Sequence, residues 1–252
     1  MNWPHFFLFL FIGFASQLID GTLGMAYGIS CRTFLRTIAG VPPAVASAVV
    51  HVSEVPTTLV SGLAHIRFKN VEWDVLWKLA IPGVVGGVVG AWLLTNIGDA
   101  LEPIIDVYLV IMGFIILLKA FRKPREKHRR VGPYVFPLGF AGGFLDAAGG
   151  GGWGPVVTST MLATDHEPKK TIGTVNTTEF FVTLAQSTAF MVLIQDFRQY
   201  WQTILALIIG GVCAAPLAAW FCKKCPLRPL LAIVGTLIMG LNVYSLIELF
   251  AM

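Results

Sequence analysis

Apolar residues run through this chain in long blocks, with the charged residues gathered between them. The blocks cover roughly 4–19, 42–66, 73–97, 101–121, 132–146, 171–194, 200–221 and 229–250. A helix needs ~20 predominantly apolar residues to cross a bilayer. Barrel strands instead alternate apolar and polar positions over shorter segments. The pattern therefore predicts an all-α polytopic membrane protein. The first block, from Trp3, has neither a basic leader nor a small-residue cleavage site, so it reads as a first membrane helix and not as a removable signal peptide.

Composition agrees. Hydrophobic residues make up 56% of the 252 residues and charged residues 13%, against about 25% charged in soluble domains. The net charge of +4 reports cytoplasmic loops in a protein of this class, so it does not point to nucleic acid. Cys31, Cys213, Cys222 and Cys225 do not form a secreted disulfide framework. Cys222 and Cys225 have redox or metal spacing, but no second pair completes a zinc site. No phosphate-binding loop is present. The expectation is a protein with no cofactor and no metal that is not an enzyme.

The two halves of the chain repeat each other. "GFASQLIDGTLGMAYGIS", from Gly13, aligns without gaps on "GFAGGFLDAAGGGGWGPV", from Gly139, at an offset of 126 residues. Asp20 falls on Asp146, Gly24 on Gly150, Tyr27 on Trp153 and Gly28 on Gly154. Further on, "HVSE" at His51 falls on "NTTE" at Asn176, "PGVVGGVVGAWL" at Pro82 on "GGVCAAPLAAWF" at Gly210, and Pro103 on Pro229. Matches in one order mark an internal repeat. The expected division is a first membrane repeat at 1–120, a basic linker at 121–131 and a second membrane repeat at 132–252.

Loop charge orients the halves. If each half crosses five times, counting the short segment after the glycine motif, 15 of the 18 Lys and Arg residues fall on one side, and only Arg32, Arg36 and Arg198 on the other. With four crossings per half the split is 11 to 7. The excess of cytoplasmic cations favours five plus five. Equivalent loops also carry opposite charge, "NIGDALEP" being acidic and "CKKCPLRP" basic. This is the mark of inverted-topology repeats, a transporter architecture with its site near mid-membrane.

The glycine run Gly149, Gly150, Gly151 and Gly152, closed by Trp153 and Pro155, stands just after Asp146. Glycine inside a helix costs about 1 kcal/mol against alanine, so this run should break the helix. A broken helix survives in hydrocarbon only where protein or a water-filled cavity covers it. A half-helix beginning near Trp153 would aim its N–H groups and positive dipole end at that centre and bind an anion without a lysine or arginine. The twin at Gly24 and Tyr27 would bring a second break to the same place. Small-residue helix packing is the plainer reading of glycines, and it is the expected one for Gly83, Gly86, Gly87 and Gly90.

Asp20 and Asp146 sit in otherwise apolar segments, and Glu54 and Glu179 form a second equivalent pair inside long helices. Carboxylates at membrane depth are usually functional. They are expected to carry protons or to cap the half-helices that follow. His51, Ser53, Asn176 and Thr177 lie in the polar stripes around the glutamates and are expected to face substrate. Positions 51, 54 and 58 share a helix face, as do 176, 179 and 183.

The two glycine motifs, the "HVSE" and "NTTE" helices and the basic linker make the chain resemble the TauE/SafE family of membrane transporters, the sulfite exporters, over essentially its whole length. The resemblance implies movement of small sulfur oxyanions and organosulfonates, sulfite and sulfoacetate among them. The residues alone argue for a small anion. The first motif lacks the glycine run, so the second half is expected to hold more of that anion. The expected function is a secondary transporter, an exporter of a small sulfur-containing anion, coupled to protons and held in the plasma membrane among lipid. An uncoupled channel or importer of a sulfur oxyanion and a cysteine-based sulfur carrier through Cys31 are the alternatives.

The five-plus-five arrangement places both termini outside the cell and the linker in the cytoplasm. Reporter fusions at the C-terminus and within 121–131 should report external and cytoplasmic locations, respectively. A cytoplasmic C-terminus would contradict the arrangement.

Overall fold

A computed structural model describes residues 3–121, 132–163, 167–194, 196–221 and 227–251, and every regular element among them is helical. The linker at 122–131 and the two cysteines Cys222 and Cys225 lie outside the described residues. Helix α1 covers Trp3–Leu23, α2 Tyr27–Ala39, α3 Pro43–Arg67 and α4 Trp73–Phe121. In the second half, α5 covers Val135–Gly149 and a wide π turn at Gly154–Thr158 runs into the short α6, Ser159–Ala163. Then come α7 at Pro168–Leu193, a 3₁₀ turn at Asp196–Tyr200, α8 at Trp201–Phe221 and α9 at Leu227–Ala251.

Among the described residues, four helices are long and apolar enough to cross a membrane: Trp3–Leu23, Pro43–Arg67, Trp73–Gly98 and Phe197–Phe221. Pro103–Leu118 and Val135–Gly149 are shorter apolar helices. The two blocks expected at 73–97 and 101–121 join into one helical element that bends at Ile97, where the backbone (φ −135°, ψ 21°) leaves the helical region. The first half of helix α7 carries Thr171, Thr174, Asn176, Thr177, Thr178 and Glu179, all buried, while Leu184, Met191, Val192 and Leu193 in its second half are exposed.

Local chemistry sets the helix ends. Pro43 and Pro168 open α3 and α7 at positions where their missing N–H costs nothing. Gly40 closes α2 in the left-handed conformation and donates its N–H to the Arg36 carbonyl. Pro56, inside α3, offers no N–H to the Val52 carbonyl one turn before it, and two hydroxyls that follow it bond back within the helix. Thr57 Oγ1 donates to the Glu54 carbonyl at 2.8 Å and Thr58 Oγ1 donates to the same carbonyl at 2.7 Å.

Packing exchanges elements between the halves. Helix α1 lies against α8 and α5 against α4, while α3 and α7 meet at the centre. The contacts match residue for residue. A Cβ at Gly13 would lie 2.7 Å from the Leu207 carbonyl oxygen, and one at Gly139 would lie 2.6 Å from that of Leu79. Under the sequence alignment Gly13 corresponds to Gly139 and Leu79 to Leu207. The same exchange governs the aromatic anchors: a Cβ at Gly211 would lie 3.5 Å from the Tyr27 ring, and one at Gly83 would lie 2.9 Å from the Trp153 ring. Gly86 and Gly90 sit on the α5 backbone at Phe140 and Phe144, so these glycines are helix-contact positions.

Gly86→Ala would press a methyl group into the Phe140 backbone. Overpacking of this kind costs about 1–3 kcal/mol, which outweighs the ~1 kcal/mol that alanine gains in helix propensity. A Cβ at Gly240 meets nothing within 4 Å. Thermal unfolding in detergent should show Gly86→Ala melting lower than the parent and Gly240→Ala at or above it.

Candidate functional site

The two helix breaks occupy equivalent positions. Leu23 ends α1, Gly24 turns the chain with φ +70° and Ala26 with φ +101°, and α2 begins at Tyr27. Gly149 ends α5, Gly150 and Gly151 turn the chain with φ +68° and +136°, and helical backbone resumes at Trp153. The breaks touch. A Cβ at Gly28 would lie 3.0 Å from Gly151 Cα, and Gly154 sits against the Gly24 carbonyl and Met25. These two contacts are the same contact with the halves exchanged, and all of these residues are buried.

At the second break, Asp146 holds the freed backbone. Its carbonyl accepts the N–H of Gly151 at 2.8 Å and that of Gly150. Its side-chain Oδ1 accepts the N–H of Gly152 at 2.8 Å and that of Trp153 at 3.0 Å. The carboxylate thus caps the half-helix that follows it, where a negative charge also suits the helix dipole. Asp20 faces the Tyr27 amide at the first break.

The structure gathers the four carboxylates predicted from sequence. Asp20, Glu54, Asp146 and Glu179 are each no more than 5% exposed, and each stands close enough to the others for its charge to be felt. His51 Nδ1 lies 3.1 Å from Glu54 Oε2 and 4.0 Å from Asp146 Oδ2. The imidazole stacks on Phe190 with ring centroids 5.6 Å apart. Asn176 reaches the first break, its Nδ2 donating to the Asp20 carbonyl at 3.5 Å, and its Oδ1 accepts from Ser61 at 3.1 Å.

Other expected residues point elsewhere. Ser53 Oγ donates to the Val49 carbonyl and Thr177 Oγ1 to the Gly173 carbonyl, each within its own helix. Tyr27 OH donates to the Leu207 carbonyl at 3.5 Å and Trp153 Nε1 to the Val175 carbonyl at 3.2 Å, so both aromatic side chains anchor the breaks to neighbouring helices. What Tyr27 and Trp153 offer the centre is their backbone. Cys31 is fully buried on α2, and among the described residues no group of His, Cys, Asp and Glu is arranged to hold a metal ion.

Sequence reasoning counted Arg32 and Arg36 only among the cations on the external side and gave them no part in the site. Both lie on α2, and Arg32 is fully buried, its Nη1 donating to the Gly149 carbonyl at the end of α5. Arg36, one turn on, pairs with the buried Asp106. In the repeat Arg32 corresponds to Thr158, whose Oγ1 donates to the Gly24 carbonyl at 2.6 Å. The two half-sites therefore use a cation in one place and a hydroxyl in the other. The signal in the sequence was an arginine inside an apolar segment, itself a pointer to function. Ser47 and Tyr108 also went unnoticed. Ser47 Oγ donates to the Ala147 carbonyl at 3.1 Å, and Tyr108 OH donates to that of Gly151 at 3.5 Å.

Comparison with known proteins bears directly on this arrangement. The description "Sulfite exporter TauE/SafE" matches residues 9–245, nearly the whole chain and both breaks. The chain belongs to the TauE/SafE family. It is 40% identical over 248 residues to the "Probable membrane transporter protein YtnM" of Bacillus subtilis (strain 168), which covers 96% of this chain and 82% of that protein. It is 29% identical over 154 residues to the "Probable membrane transporter protein ORF9" of Sinorhizobium sp, covering 60% of this chain and 58% of that one. No solved structure matches the chain. Family and relatives, with the apolar helices, support a membrane transporter.

The glycines of the second break separate into two kinds. A Cβ at Gly150 would overlap the Arg32 side chain, which can move aside, whereas one at Gly151 would overlap the Ile29 backbone nitrogen, which cannot. Both φ values disfavour alanine, by roughly 1–3 kcal/mol for a non-glycine residue held there. Gly150→Ala should yield folded protein with Arg32 displaced, and Gly151→Ala should yield little folded protein. Size-exclusion profiles and melting curves of the two variants in detergent check this.

Proposed function

We propose that this protein is a secondary transporter, an exporter of a small sulfur-containing anion such as sulfite or an organosulfonate, with protons moving through the buried carboxylates. The observation that carries the reading is the meeting of two helix breaks at one buried centre, in a family described as sulfite exporters. Half-helix ends in contact across a repeat interface are how broken-helix transporters build a substrate site. The anion's seat is the second break at Gly149, Gly150, Gly151, Gly152 and Trp153, with Gly24 and the Tyr27 amide opposite and His51 and Asn176 alongside. The expectation that all five amides hold the anion narrows to Gly152 and Trp153, because Gly149 lies inside α5 and the Gly150 and Gly151 N–H groups bond the Asp146 carbonyl. Arg32 supplies the nearby positive charge. Ser53 and Thr177 back these positions from α3 and α7.

The support for a polar, ligand-facing centre is the set of buried atoms there with no hydrogen-bond partner among the described residues. Asp20 Oδ2, His51 Nε2, Asp146 Oδ2 and Thr183 Oγ1 are four of them. Native interiors satisfy nearly all such atoms, so each exception calls for an explanation. Glu54 and Glu179, on the two central helices, are placed to carry protons.

The exchanged packing of α1 on α8 and α5 on α4 supports two repeats of inverted topology at 1–120 and 132–252. In this reading the plasma membrane holds both repeats, the termini lie outside and the basic linker lies in the cytoplasm.

Proteoliposomes containing the protein should take up or release sulfite, thiosulfate or a sulfonate, and an imposed pH gradient should change the rate. Glu54→Gln or Glu179→Gln should keep anion binding and lose the response to the gradient. Flux of none of these anions would refute the proposal. Flux indifferent to pH would leave an uncoupled facilitator.

A further inference from the structure

We infer that the Asp146 carboxylate is a tethered occupant of the anion seat, a built-in stand-in that a monovalent oxyanion must replace in order to bind. The inference rests on the functional reading above and sharpens it. The amides proposed to hold substrate are the ones that Asp146 already holds, with Gly152 N–H at 2.8 Å and Trp153 N–H at 3.0 Å from a single oxygen. One carboxylate oxygen and one sulfite or sulfonate oxygen make the same demand on two converging N–H groups. They cannot be met together, so seat and substrate bind in exchange.

The second carboxylate oxygen points to where Asp146 goes. Oδ2 has no hydrogen-bond partner among the described residues, although the residue is only 4% exposed. It lies 4.0 Å from His51 Nδ1. A rotation of the side chain away from the amides brings the carboxylate towards His51, which is held in place by Glu54 and by its stack on Phe190. The charged and titratable groups that face Asp146 are His51 and Glu54 from α3, Arg32 from α2, Tyr108 from α4, Asp20 from α1 and Glu179 from α7. Three of these are carboxyl groups. A displaced carboxylate among them, with a new anion in its former seat, adds a full negative charge to one buried centre.

A proton taken up by Asp146 as it leaves restores the balance. The negative charge on its oxygen becomes an O–H, and the incoming anion supplies the charge that the amides and Arg32 had faced before. Proton and anion then occupy the protein together and cross in the same direction. Export runs on the anion's own outward gradient and carries protons out with it. The same charge count favours a monoanion over a dianion, because the group being replaced carries one charge.

The test uses the purified full-length protein and anions that do not titrate near neutral pH: methanesulfonate, sulfate and thiosulfate, with sulfite as a further probe of binding. Calorimetry in buffers of different ionisation enthalpy reads affinity and protons together. The expected result is that methanesulfonate binds with about one proton taken up per anion and more tightly than sulfate or thiosulfate. Asp146→Asn, whose neutral oxygen competes less well for the amides, should bind methanesulfonate at least tenfold more tightly with no proton uptake. Asp106→Asn removes a buried carboxylate that pairs with Arg36 and holds none of the seat's amides, and should keep proton uptake and change affinity less. Binding to the parent protein without proton uptake overturns the inference, even if the Asp146 variant does not fold. An equal gain in affinity in both variants also overturns it, leaving only general charge repulsion. If the parent protein binds none of the four anions, the functional reading itself fails.

Discussion

Every backbone amide and carbonyl that a helix break releases inside a membrane must find a partner within the protein, because hydrocarbon offers none. The centre of this protein is organised by that requirement. Asp146 takes the amides that the second break frees, through both its carbonyl and its side chain. Arg32 covers the Gly149 carbonyl on the other side of the gap. Thr158 does the same for the Gly24 carbonyl at the first break. Each break is closed in part by a residue from the opposite half. Neither half could bury its own break alone, and this accounts for the way helices are exchanged between halves throughout the packing.

Much of this was legible in the sequence, and for identifiable reasons. Glycine and proline act through local backbone geometry, so the break at Gly149–Gly152 and the restart at Trp153 followed from residue type alone. The offset between Asp20 and Asp146 located the first break as well, although "TLGMAYG" has a single glycine before its aromatic residue and Ala26 takes the left-handed position that glycine would favour. What local signals could not supply was partnership across the chain. Arg32 was counted only for its side of the membrane because its neighbours, Gly149 and Gly150, are more than a hundred residues away. The amides of Gly152 and Trp153 looked open because nothing local says that the carboxylate before them folds back. Ser53 and Thr177 share stripes with His51 and Asn176 by period, yet their hydroxyls are short enough to satisfy the helix behind them. The stretch around Ile97 was read as an acidic loop between the blocks 73–97 and 101–121; the structure keeps both helices and reduces the loop to a bend at Ile97.

Positions of the two halves that align in sequence differ in charge. Arg32 against Thr158 and Arg36 against Leu162 are repeat-related positions where only the first half carries a cation. The Arg36–Asp106 pair, with Asp106 fully buried, has Ala232 at the position related to the aspartate. Unequal charge at aligned positions makes the surroundings of the buried centre electrostatically one-sided.

The contact of Gly28 with Gly151, and its exchanged counterpart of Gly154 with Met25, brings two segments to within the thickness of their own main chains. Two rods that touch in this way behave like the blades of a pair of shears at their pin. Swinging one about the contact opens a wedge on one face and shuts the wedge on the other. At the Gly28–Gly151 contact no side chain stands between them to absorb the motion. The geometry is therefore suited to exposing the centre to one side at a time, and poorly suited to a continuous water-filled passage.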